Sequence, residues 1–279
     1  MAARKEDIAR TPSTRGPTMA EQADRHSLYE QSVQNVESEV EFIVDTFKAL
    51  RGRMPLSFRE DFCGTAAAAC EWIRQGPAQT AIGVDIDAEV LSWGRRHHVE
   101  KMQPGQQARL QLHHENVLHV SAEPVDVVGA FNFSYFLFKQ RDQMREYFES
   151  VRSGLTANGL FILDAFGGHE ASEEMKEKTK YDHFTYVWEQ DKFYPITGEM
   201  LCHIHFKFPD GSKMKKAFTY DWRLWTLPEI QEILLEAGFR KVTVYWEGTD
   251  SDGEGDGVFT PDEKGEADAG WIVYIVAEQ

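Results

Sequence analysis

Cysteine is scarce in this chain of 279 residues: only Cys63, Cys70 and Cys202 occur. Three thiols at irregular spacing exclude a disulfide framework or a zinc ribbon and point to a reducing, cytoplasmic setting. No run approaches the ~18 apolar residues of a membrane-spanning helix, and the polar N-terminus lacks the apolar segment of a secretory signal. Basic residues are in deficit too, with 30 Lys and Arg against 46 acids and a net charge of −16. Half of that net charge lies in residues 247–268, where nine acids accompany one base. The remainder is still acidic and has no Lys/Arg stripe, which argues against a grip on nucleic acid or an anionic membrane. Apolar side chains, by contrast, are ample. At 42% of the chain, with 18 Phe, 9 Tyr and 7 Trp, they suffice for a sizeable core.

Residues 1–23 are polar and are expected to form a disordered tail. From Asp24 to Leu50, apolar residues at Leu28, Val33, Val36, Val40, Ile43, Val44 and Phe47 follow helical spacing. Strand and helix signals then alternate. Strands are expected at 56–62, 80–85, 108–113, 125–133 and 160–166, with helices at 66–74, 88–101 and 140–155. This rhythm signals βαβ units and a doubly wound, mostly parallel sheet of seven strands, the last of them antiparallel. Residues 167–226 break the rhythm. A charged segment, 170–180, reads as a solvated helix or a lid, and three aromatic-rich alternating stretches follow, the last two joined by the hairpin signal Asp210-Gly211. They are expected to form an inserted antiparallel β cap. Pro228 and Gly238 bracket a helix, and two strands around an acidic loop, 247–270, complete the core over 227–279.

The most informative segment is Arg59-Glu60-Asp61-Phe62-Cys63-Gly64-Thr65-Ala66, where the first strand meets a helix opened by small residues. Gly64 and the alanines let a ligand approach the backbone. Asp85 ends the second strand, 21 positions after Gly64, the place and spacing of a carboxylate that accepts hydrogen bonds from a ribose diol. Either feature alone fits ordinary packing or capping; the joint spacing indicates a nucleotide-like cofactor. A dinucleotide enzyme would use the same architecture, but G-x-G-x-x-G does not occur. Cys63 and Cys70 have no further cysteine nearby and read as packed residues, so no metal site is expected.

Together these segments resemble the class I S-adenosylmethionine (SAM) dependent methyltransferases, over residues 24–166 and the last helix and strands. In that motif Glu60 takes the acidic position, Cys63, Gly64 and Thr65 match directly, and Phe62 and Ala66 stand where the family has glycines. Arg59 and Asp61 flank the motif as further cofactor candidates. The resemblance assigns Asp85 to the ribose, Ile86 to the adenine face, and Asn116 with Val117 to the adenine edge. It implies SAM as cofactor, S-adenosylhomocysteine as product and a small-molecule acceptor at N, O or S. Tyr29 stands where methyltransferases similar to the glycine and sarcosine enzymes close a helix over SAM. Asn132 and Tyr135, at the end of the fourth strand, faintly resemble the Asn-Pro-Pro-Tyr motif of enzymes that methylate planar amino groups, including those of macromolecules; they are the candidate catalytic pair. A non-catalytic SAM-binding module is the other alternative. In the insert, Trp188, His203, His205 and Arg223 are the acceptor candidates: an aromatic wall, a base or ligand pair, and a carboxylate fork. Oligomeric state leaves no mark in the sequence.

Overall fold

The computed structural model describes residues 16–251 and 255–279. Three helices come first, α1 (Met19–Gln22), α2 (Arg25–Ser32) and α3 (Val36–Arg51). The alternating core follows as β1 (Ser57–Asp61), α4 (Ala67–Arg74), β2 (Thr80–Asp85), α5 (Ala88–His97), α6 (Pro104–Gln107) and β3 (Leu110–His114). It continues through β4 (Val125–Ala130), α7 (Arg141–Ser153) and β5 (Leu155–Gly167). Four strands make the insert: β6 (Met175–Lys180), β7 (Thr185–Tyr194), β8 (Glu199–Lys207) and β9 (Lys213–Arg223). The chain ends with α8 (Leu227–Glu236), β10 (Lys241–Thr249), β11 (Gly255–Pro261) and β12 (Trp271–Glu278).

The main sheet has the order β11-β10-β12-β5-β4-β1-β2-β3. Strands β1 to β5 are parallel, while β12 runs antiparallel to both β5 and β10. The central strands are apolar on both faces because both are covered; every residue of β4 is buried. One face packs Tyr147, Phe148 and Val151 of α7 and Ile230 and Ile233 of α8. The other packs Val40, Ile43 and Phe47 of α3 with Trp72 and Ile73 of α4. Chain order reverses at β1, between β4 and β2, which opens a crevice at the carboxyl ends of these strands. No helix among the described residues is long and apolar enough to cross a membrane.

The insert is a separate antiparallel sheet, β6-β7-β8-β9. Its inner side joins the main core through Met200, Cys202 and Trp222. Leu28 of α2 completes a further cluster with Phe184, Ile204, Phe206, Phe208 and Ala217. The N-terminal helices are thus the seal between sheet and cap.

Three expectations need correction. The tail assigned to 1–23 includes an ordered piece: α1 carries a Thr18/Glu21 capping box, and its Met19 and Ala20 N–H groups donate to Asp210 (2.9 Å) and Ser212 (3.1 Å) at the cap hairpin. Residues 1–15 lie outside the described residues. The charged segment 170–180 is not a solvated α-helix; it opens on the end of a short 3-10 turn, His169–Ser172, and its second half is β6, an edge strand whose Met175 and Glu177 share one face while Lys176 and Lys178 take the other. Exposed lysines suit an unpaired edge. The acidic loop, finally, contributes an eighth strand to the main sheet: β11 pairs back onto β10, and its Phe259 packs on Phe42 and Tyr274.

Candidate active site

Alternation along β1 sends neighbouring charges to opposite faces. Arg59 and Asp61 point under α7, where Arg59 Nη2 donates to Asp61 Oδ2 (3.1 Å) and Tyr147 Oη donates to the same oxygen (3.1 Å). Arg59 Nε lies 2.9 Å from Asp61 Oδ1, in contact without hydrogen-bond alignment. Both side chains are buried in this pair, so neither reaches the crevice as the sequence suggested. Glu60 faces the other way and accepts the Ala69 N–H (2.8 Å) in the first turn of α4. Burial raises its carboxyl well above the usual range, and the charges of Glu39 and Asp85 add to that rise.

The loop after β1 has an unusual backbone. Phe62, Gly64 and Ala66 all have positive φ, 56°, 53° and 58°, so the two residues that replace glycines keep the left-handed conformation favoured by glycine. The ring of Phe62 packs against Tyr147 and Phe138. Cys63, Cys70 and Cys202 are buried free thiols. Gly64 N–H donates to Asp85 Oδ2 (2.8 Å), while Asp85 Oδ1 accepts the Asp87 N–H (2.9 Å). The carboxylate therefore ties the ends of β1 and β2 together. Ile86 beside it is 69% exposed, an apolar surface with no covering side chain. Asn116 is exposed on the neighbouring strand end, its side-chain oxygen capping a short 3-10 turn through the Leu118 N–H (3.0 Å). Val117, buried in the core, is withdrawn from that rim. Thr65 donates to Glu30 of α2 (2.6 Å), and Glu30 also meets His98 Nε2 (2.7 Å), so Thr65 anchors the N-terminal helices onto the loop.

Beyond β4 the backbone turns left-handed twice in succession, at Asn132 and Phe133 (φ 56° each). Asp164 of β5 holds this corner, its two oxygens accepting the N–H groups of Asn132 (2.7 Å) and Phe133 (2.9 Å). Burial pushes the Asp164 carboxyl up to about 7. Glu39 of α3, also buried, is pushed up to about 8 by burial and by the charge of Asp164. Tyr135, expected to be catalytic, is fully buried, and its hydroxyl donates to the Asp164 backbone carbonyl (2.7 Å). It braces the corner from within the core instead of facing the crevice.

A cavity of about 570 Å³ lies between this corner and the cap. Tyr29, Asn132 and Trp188 all line it, so the structure brings together three of the residues singled out from sequence. Tyr29 shares a hydrogen bond with Tyr220 and packs on Phe218 (4.9 Å between centroids). Tyr220 stacks in turn on Trp222 (4.4 Å). Phe133, Phe166, Tyr186 and Trp271 add further aromatic surface.

The other insert candidates lie elsewhere. His203 and His205 share a face, as alternation predicts, but it is the face away from the cavity-lining Ile204. There His203 contacts Thr219 (2.9 Å) and Asp191 (3.2 Å), while His205 contacts Glu189 (2.6 Å). Arg223 stacks over Trp225 (3.7 Å) and binds Glu229 (2.9 Å), so its fork is filled by the chain itself. The residues that sequence reasoning passed over are Glu30, Glu39, Asp164 and Tyr186. Asp164 had a visible signal: one carboxylate inside the apolar run Leu160-Phe161-Ile162-Leu163-Asp164-Ala165-Phe166. Glu39 sits in phase with Val36, Val40 and Ile43 on the apolar side of α3.

Solved structures match this arrangement along most of its length. A SAM-dependent methyltransferase from Clostridium acetobutylicum superposes with a TM-score of 0.66 over 91% of this chain and 96% of its own, at 14% identity. This is the fold of the SAM-dependent methyltransferases. CalS10, an amino pentose methyltransferase from Micromonospora echinaspora, gives 0.64 over 91% and 96% of the two chains at 13% identity. KedS8, a sugar N-methyltransferase from Streptoalloteichus, gives 0.62 over 99% of both at 13% identity. No protein-family model and no curated protein sequence matches the chain. In open α/β sheets of this kind ligands bind outside the carboxyl ends of the strands, and Gly64, Asp85 and Ile86 lie at such ends.

Proposed function

We infer that the chain transfers the methyl group of SAM to a small-molecule acceptor held between the main sheet and the cap. One observation carries this reading. Glu39, Glu60, Asp85 and Asp164 are all held above the usual carboxylate range by burial; mutual repulsion adds to it at Glu39 and Glu60, and the charge of Asp87 adds to it at Asp85. None of the four has an ion-pair partner among the described residues. A dinucleotide, with its pyrophosphate, would be repelled there; a sulfonium with an ammonium group supplies the missing positive charge.

SAM supplies an electrophilic methyl carbon on a sulfonium. The chain's residues have positional tasks: Asp85 holds the ribose hydroxyls and the loop together, and Ile86 offers an apolar flank to the adenine. Asn116 stands at the adenine edge. Tyr29 closes α2 against the cap and, with Trp188, excludes water from the acceptor side. Asn132 presents its amide to the acceptor from a corner fixed by Asp164. Little acid-base chemistry is required of them. Burial of Tyr135 removes half of the pattern that favoured a planar amino group on a macromolecule. The sugar and amino sugar methyltransferases among the structural neighbours support a small acceptor. Three buried thiols support a reducing, cytoplasmic setting.

Calorimetric titration with SAM, followed by S-adenosylhomocysteine release in the presence of a metabolite fraction, tests the reading. One SAM site per chain and acceptor-dependent product are expected. Binding without turnover against any fraction would leave a SAM-binding module, and absence of SAM binding would end the proposal.

A further inference from the structure

We propose that the acceptor is an amine without a phosphate or carboxylate group, and that the cavity holds its methylated product as a cation. This rests on the methyltransferase reading and names the substrate class of the same site.

The cavity wall is aromatic along its length: Tyr220 stacks on Trp222 (4.4 Å between centroids), Trp222 neighbours Trp188 (6.2 Å), and Tyr29, Tyr186 and Trp271 continue the lining. Indole and phenol faces carry partial negative charge and attract ammonium groups. Glu170, Glu177 and Glu247 line the same cavity, and none of the three enters an ion pair among the described residues. The lining contains no Lys, Arg or His. An acceptor with a phosphate or carboxylate would meet three carboxylates and no basic side chain, an arrangement that selects against it. A neutral acceptor gains nothing from the acids. The ammonium formed as product gains from both features at once, whereas an acceptor that enters protonated must first release its proton to water before its lone pair can attack.

The charge balance of the reaction makes this selective for the transition state as well. The nitrogen lone pair forms the N–CH3 bond as the S–CH3 bond breaks, and the bonding pair stays on sulfur. The positive charge therefore leaves the sulfonium and arrives on the acceptor nitrogen. A primary or secondary amine keeps its proton through that step and releases it to water afterwards; a tertiary amine ends as a quaternary ion. Aromatic faces and carboxylates at the receiving end attract the nitrogen more strongly as the bond forms, which lowers the barrier instead of merely tightening binding.

Ligand-observed NMR and calorimetry on the full chain saturated with S-adenosylhomocysteine test this with three probes of similar size: choline, its neutral isostere 3,3-dimethylbutan-1-ol, and phosphocholine. Choline is expected to bind about tenfold or more tightly than either of the others. Glu177→Gln, at an exposed position on β6, should weaken choline about two- to fivefold and leave the neutral isostere unaffected. Equal binding of choline and the isostere, or no choline binding, overturns the cationic site. Phosphocholine binding as well as choline overturns the exclusion of phosphate. Titration of SAM into the full chain free of S-adenosylhomocysteine reports on the methyltransferase reading independently, because it depends on Asp85 and not on the cavity acids.

Discussion

Replacing Glu39 by glutamine removes one charge from the acidic cluster while keeping an oxygen for the Asn35 backbone N–H that Glu39 accepts. Burial and the charge of Asp164 raise this carboxyl from 4.5 to about 8. Between those values the native protein holds a proton that the unfolded chain has released. Stability of the ligand-free protein must therefore fall as pH rises through this window, with the loss complete above about pH 8. The full displacement corresponds to roughly 4–5 kcal/mol, of which about 3–4 kcal/mol falls between pH 5 and 8.5. Asp164, raised to about 7, adds a loss of the same sign to both proteins. Urea unfolding at the two pH values should show wild type losing about 3 kcal/mol more than Glu39→Gln, so that the variant is the more stable protein at pH 8.5. At pH 8 the variant should also bind SAM more weakly by roughly 1–3 kcal/mol, since the proposed cation-binding cluster has lost one carboxylate. Parallel stability profiles for the two proteins would refute the assignment of Glu39 to a repulsive, cation-seeking cluster.

Asp85→Ala should weaken SAM by roughly 1.5–3 kcal/mol, because a charge-assisted acceptor is lost and the Gly64 N–H loses its partner; unchanged affinity in a folded variant removes Asp85 from the site. Asp164→Ala leaves the N–H groups of Asn132 and Phe133 without acceptors and should cost about 2–4 kcal/mol in chemical denaturation, with turnover falling as well; a cost below about 1 kcal/mol would show that the corner holds without the clamp. Bulk RNA and duplex DNA should neither bind at physiological salt nor take label from methyl-labelled SAM, given a net charge of −16; label in the RNA fraction that vanishes on Asn132→Ala would restore a macromolecular acceptor.

The parallel core was legible because buried parallel strands are apolar on both faces and their helices are amphipathic: β2 follows directly from the run Thr80–Asp85, whereas the order of the strands came only with the structure. Where composition masked periodicity, the reading failed. Residues 175–180 alternate as a strand should, yet three lysines in six residues make a window that resembles a solvated helix. The eighth strand was hidden by acids and glycines, and only Val258 and Phe259 hint at pairing. Site residues divide in the same way. Gly64 and Asp85 stood out because their roles depend on sequence spacing, and the structure joins them by a 2.8 Å hydrogen bond. Arg59 with Asp61, and Arg223 with Glu229, show that a charged side chain can be consumed by a neighbour that sequence order does not announce. Tyr135 and the histidines of β8 depended on orientation, which burial decided.

Backbone strain gathers at the proposed site independently of any motif. Five non-glycine residues have positive φ among the described residues, and four of them are Phe62, Ala66, Asn132 and Phe133; the fifth, Lys216, lies at the irregular pairing of β9. Each such residue costs roughly 1–2 kcal/mol relative to ordinary backbone. Each of the four has an identifiable support: aromatic packing for Phe62, a 2.7 Å hydrogen bond from the Ala66 N–H to the Cys63 carbonyl, and the paired oxygens of Asp164 for the other two. Strain gathered at the two strand ends that flank a crevice, and compensated separately at each, is expected where backbone must be presented to a ligand and not where it only joins elements. The glycine-poor loop is therefore consistent with a working cofactor site. Phe62 and Ala66 preserve the left-handed path that glycine allows, and Phe62 adds an aromatic anchor beneath it.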